Sequence, residues 1–78
     1  MTETEAIALA DVPDWWIGAS AQAQKMRSLR EALAEAAAEE RPRLFRPGGF
    51  GVAAIWLSGE DIHRLHGVLS KIDASAAA

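Results

Sequence analysis

The sequence predicts an α+β fold: a small single domain built from a long Ala-rich helix, a short β-hairpin and a C-terminal helix. Three observations carry this reading. Apolar residues advance by three and four through residues 14–40, the period of an amphipathic helix. A continuous apolar run, Val52 to Leu57, lies between Pro47-Gly48-Gly49 and Ser58-Gly59, as a strand between turns does. Ser58 followed by Asp61, and then by Ile62, Leu65, Leu69 and Ile72, has the spacing of a capped helix with one apolar stripe.

Taken in order, residues 1–13 read either as a loose N-terminal arm or as a short helix capped by Thr2 or Thr4. Asp11 and Pro13 then suit the first turn of the next element. Over 14–40, Trp16, Ala19, Ala23, Met26, Leu29, Leu33 and Ala36 share one helical face, with Gly18 dividing a Trp-bearing turn from the main helix. Arg27 and Glu31 form a favourable pair four residues apart. Residues 43–57 predict the hairpin: Leu44-Phe45-Arg46 pairs with the Val52–Leu57 run across Gly48 and Gly49, and the flanking Pro42 and Pro47 suit a short edge strand. Alternation places Ala53, Ile55 and Leu57 on one face and Val52, Ala54 and Trp56 on the other. Both faces are apolar, so one packs on helices and the other is covered as well or meets a partner. Residues 58–72 form the last helix, within which Gly67 is a weak point, and the Ala-rich tail 73–78 is expected to fray.

Composition narrows the function. Seventeen of the 78 residues are alanine, so the 50% hydrophobic content yields a thin core that oligomerisation or partner binding would help. Cysteine is absent, which removes disulfides and thiolate metal sites and is compatible with a reducing cytoplasm. No apolar run is long enough for a membrane span, and the acidic N-terminus lacks the bases of a signal peptide. A net charge of −3 disfavours a dedicated nucleic-acid binder.

Few motifs suggest chemistry. His63 and His66 are the chain's two histidines, fewer than the three or four ligands zinc requires, so no metal is predicted. Gly48-Gly49-Phe50-Gly51 lacks the lysine and hydroxyl of a phosphate loop and opens a strand where such a loop opens a helix; a turn explains it better. No nucleophile–base–acid set is visible, so neither catalysis nor a cofactor is expected. Two contact surfaces stand out. Trp15, Trp16 and Ile17 form an apolar cluster of the kind enriched at binding hot spots. Arg41, Arg43 and Arg46, interleaved with Phe45 and followed by Phe50, form a basic–aromatic flank suited to an acidic protein patch or, less well, to nucleic acid.

The order of Ala-rich helix, hairpin and a helix opening with Leu57-Ser58-Gly59-Glu60-Asp61-Ile62 resembles the gpW-like head–tail joining proteins of tailed phages, small α-β-β-α domains, over roughly residues 27–72. In format the chain is also similar to small phage-encoded inhibitors of host defence, including anti-CRISPR proteins. The resemblance implies a non-enzymatic domain that docks onto a larger protein complex, in a bacterial host's cytoplasm or in a virion. It does not match individual residues. The expectation is therefore a protein-binding module contacting its partner through Trp15, Trp16, Ile17, Arg41, Arg43, Arg46 and Phe50.

Overall fold

The computed structural model describes residues 1–18 and 26–77. They form α1 (Glu3–Leu9), β1 (Ile17–Gly18), α2 (Leu29–Ala37), β2 (Leu44–Arg46), β3 (Ile55–Leu57) and α3 (Gly59–Ala77). The fold is α+β, a single domain in which helices cover one face of a three-stranded antiparallel sheet of order β1-β2-β3.

The N-terminal residues are a helix, not an arm. Thr2 and Glu5 form a reciprocal capping box: the Glu5 amide donates to Thr2 Oγ1 at 3.1 Å, and the Thr2 amide donates to the Glu5 carboxylate at 3.3 Å. The short side chains of Ala6 and Ala10, both buried, let α1 lie close against its neighbours.

The long helix expected over 14–40 is corrected. Asp14 pairs backbone-to-backbone with Arg27, both bonds at 2.9 Å, and Ile17-Gly18 joins the sheet; α2 begins at Leu29, capped by Ser28, whose Oγ accepts from the Glu31 amide. The helical spacing of Trp16 with the later apolar residues was coincidental. Trp and Ile suit a pleated surface and Gly18 weakens a helix, so pairing with β2 prevails over periodicity. Ala19 and Ala23 of that expected stripe lie outside the described residues. The anticipated Arg27–Glu31 pair is also replaced: Arg27, not being helical, reaches Glu35.

β2 is the central strand and not an edge element, because β1 takes its second side. Pro42 and Pro47 fall just outside the three residues that ladder, so neither is asked to donate. β2 and β3 pair as Leu44↔Leu57, Phe45↔Trp56 and Arg46↔Ile55. The reversal centres on Phe50-Gly51, two residues past the expected Gly48-Gly49: Gly49 and Val52 exchange two 2.9 Å backbone bonds around them, and both central residues have positive φ, +50° and +83°. That is the sign pattern of a type I′ hairpin turn. Gly48 is needed for a different reason. A Cβ there would stand 2.8 Å from the Ala54 amide nitrogen and 2.9 Å from the Val52 carbonyl oxygen.

α3 starts where expected. Ser58 Oγ accepts from the Asp61 amide, and the Asp61 carboxylate accepts from the Ser58 amide and hydroxyl. Ile62, Leu65 and Leu69 are buried against α2, whose Leu29, Ala32, Leu33 and Ala36 face them; Ile72 is 39% exposed. The helix continues to Ala77 instead of fraying at 73, and Asp73 pairs with Arg30, which also holds Asp11. That pairing ties the end of α3 to the start of α2.

Gly67 has nothing within 4 Å of the position its Cβ would take, so no close approach requires it. Gly67→Ala is expected to raise stability by about 0.5–1 kcal/mol through helix propensity alone, read as a higher urea midpoint with an unchanged slope.

Three carboxylates are held below their ordinary titration range: Glu5 by its hydrogen bonds from Thr2, Asp11 by Arg30, and Asp61 by its hydrogen bonds from Ser58. A carboxylate whose pKa is lower folded than unfolded adds stability above its unfolded pKa and loses it as pH falls through the folded one. The urea midpoint is therefore expected to hold between pH 7 and 5 and to fall below about pH 4. A midpoint unchanged down to pH 3 would contradict this.

Candidate functional site

Directly opposed residues in an antiparallel sheet point to the same side. The register therefore sorts the sheet into two faces. Gly18, Leu44 and Leu57 form one cross-strand row, with Arg46 and Ile55 beside it, and Leu44 and Leu57 are buried beneath the helices. Ile17, Phe45 and Trp56 form the row on the opposite face. Among the described residues no helix covers that side: Ile17 and Phe45 are half-buried, and Trp56 is 71% exposed.

The two tryptophans at the start of the sheet divide accordingly. Trp16 is 1% exposed and belongs to the core, whereas Trp15 is 50% exposed. This corrects the expectation that Trp16 contacts a partner. In extended chain, neighbours point in opposite directions, which separates the pair more completely than a helix would.

Phe45 and Trp56 stack, with ring centroids 4.5 Å apart and planes 12° from parallel. This separation is close to the spacing of adjacent strands, so the rings stand up from neighbouring strands and lean on each other. Together with Gly18, Leu44 and Arg43 they line a concavity of about 300 Å³. Arg43 is exposed at its side, and Arg41, also exposed, precedes it in the approach to β2.

Arg46 does not share that surface. Its guanidinium lies 5.9 Å from the Trp16 ring centroid and donates to Asp14 Oδ2 at 3.2 Å and to the Ala53 carbonyl at 3.3 Å. It braces the hairpin against the chain leading into β1, which corrects its assignment to a charged flank. Phe50 is fully exposed at the hairpin tip, with the strained positive φ described above.

The structure thus brings together Ile17 and Arg43, places Phe50 apart from them, and turns Trp16 and Arg46 inward. Trp56 is the site residue missing from the sequence reading, and Phe45, noted there within the basic–aromatic flank, was not carried into the expected contact set. The signal for Trp56 was the two-sided apolar alternation of Val52–Leu57, which leaves one face in need of cover.

His63 is exposed and His66 half-buried on α3. Among the described residues no group of three His, Asp or Glu side chains is placed to hold a metal ion, and no helix is long and apolar enough to cross a membrane. Comparison with protein-family models, with curated proteins and with solved structures finds no match to this chain.

Proposed function

We propose that this chain is a non-enzymatic protein-binding module that docks onto a larger protein through the open face of its sheet. The observation that carries the reading is the Ile17–Phe45–Trp56 row, left uncovered while helices bury the other face. An exposed tryptophan stacked on a half-buried phenylalanine beside a concavity has the form of a binding hot spot, where a few large side chains supply most of the affinity. Trp15 extends the apolar area, Arg43 and Arg41 border it, and Phe50 adds a protruding contact at the hairpin tip. In biological terms the proposal is a small phage- or mobile-element-encoded inhibitor of host defence, of the anti-CRISPR type, acting by occupying a surface of a host effector.

The test is co-purification from a lysate of the bacterial host. The wild-type chain is expected to retain one effector at fixed stoichiometry and to block its activity. Trp56→Ala should weaken that complex by at least about thirtyfold, the measure of a 2 kcal/mol hot spot, while costing only about 1 kcal/mol of folding stability through the lost ring stack. An effector retained equally by Trp56→Ala but released by changes at Val12 and Ile72 would place the docking surface elsewhere.

A further inference from the structure

Among the described residues, four of the seven lysines and arginines are already engaged in ion pairs. Arg27 holds Glu35, Arg30 holds Asp11 and Asp73, Arg46 holds Asp14, and Arg64 reaches Asp61 and Glu3. Among the described residues Arg41 and Arg43 form no such pair, although the chain is acidic overall and Glu39 and Glu40 immediately precede them. Lys71 also has no ion pair, but it lies on the solvent side of α3. Arg43 instead lines the same concavity as Phe45 and Trp56.

Resting on the docking reading above, we infer that the partner presents an acidic segment: an apolar side chain that seats between Trp56, Phe45 and Gly18, flanked by carboxylates that pair with Arg43 and Arg41. Arginine favours this role because its planar fork matches a carboxylate bidentately and sheds water more readily than an ammonium. The geometry is poorly suited to a nucleobase platform. Phe45 and Trp56 cover one face of each other at 4.5 Å, and Ile17 stands opposite Phe45 on its other side, so the outer face of Trp56 is the one offered for stacking. A pair of arginines on a protein of net charge −3 offers few phosphate contacts. A second copy of the chain docked face to face would bring like charges together and leave the same arginines unpaired.

A random peptide display library panned on the folded full-length chain at physiological salt tests this. The enriched peptides are expected to carry Asp or Glu within a few positions of Trp, Phe, Leu or Ile. Arg43→Glu should weaken the best of them by about tenfold or more, and panning on the Arg41→Glu, Arg43→Glu double variant should select Lys- and Arg-bearing peptides instead. Enrichment of neutral or basic peptides that still require Trp56 would overturn the acidic partner and leave the docking face standing. Peptides that bind Trp56→Ala as well as wild type would overturn both. A pool no richer than that from bare support would overturn the acidic segment. Tight, salt-sensitive binding of an oligo-dT or oligo-U probe in preference to any peptide would replace it with a nucleic acid, and a Trp56-dependent doubling of mass in light scattering would replace it with a second copy.

Discussion

Trp16→Ala is expected to destabilise the fold by about 3–5 kcal/mol, the cost of removing a large aromatic side chain from a packed interior. A domain of this size with one thin core commands only about 3–5 kcal/mol in total, so most molecules should be unfolded at room temperature. Trp16 is among the largest fully buried side chains, and the core it completes contains four alanines, Ala6, Ala10, Ala32 and Ala36, which cannot swell to fill the space. Loss of the ring also removes the surface on which the Arg46 guanidinium rests. The adjacent Trp15→Ala should change stability by less than about 1 kcal/mol, since half of that side chain already meets water. Circular dichroism and urea titration of the two variants should therefore differ sharply. Equal losses would mean that both rings lie in the core and that the sheet does not divide them.

Arg27→Met is expected to cost about 2–3 kcal/mol. The Arg27 side chain is 2% exposed, and it donates from Nε to the Trp16 carbonyl at 3.2 Å and from Nη1 to Glu35 at 2.5 Å, while its backbone exchanges two bonds with Asp14. It fastens the chain leading into β1 to α2. Methionine retains the bulk but leaves a buried carbonyl without a partner, a loss of about 1–3 kcal/mol, and forfeits a charge-assisted bond. Glu35→Gln should cost less, about 1 kcal/mol, because Glu35 is half exposed and water screens much of the pair. Arg27→Lys should recover little, since one ammonium cannot reproduce the two-directional fork that spans Trp16 and Glu35. A double-mutant cycle of Arg27→Met with Glu35→Gln is expected to show coupling of about 0.5 kcal/mol or more. No coupling would indicate a guanidinium held by the carbonyl alone.

How much of this was legible in advance varies by element. α3 was clear because its information is local: Ser58 and Asp61 fix the start, and Ile62, Leu65 and Leu69 fix the buried side within a few turns. The β2–β3 hairpin was clear for the same reason, although the turn lies at Phe50-Gly51. Trp15-Trp16-Ile17 was misleading. Its helical spacing with later apolar residues suggested one helix reaching into α2, which begins at Leu29, and nothing near it in sequence announces that Ile17 pairs with Phe45. The candidate site inherits that error. Trp16 and Arg46 were expected at a contact surface because tryptophan is enriched at binding hot spots and Arg46 falls in a basic–aromatic run, while Trp56 was read as part of an apolar strand and not as the exposed side of a sheet.

By itself the sequence determined the α+β class, the capped C-terminal helix, the hairpin and the presence of more apolar strand surface than one helical layer covers. Those features arise from residues close together in the chain, where caps, turns and alternation act. The tertiary structure alone decided that residues 14–18 extend instead of coil, that β2 lies between two strands, and which of Trp15 and Trp16 faces water. Each of those outcomes depends on pairing across many intervening residues. In a two- or three-residue strand, intrinsic preference is worth less than the hydrogen bonds and buried area that the neighbouring strand supplies.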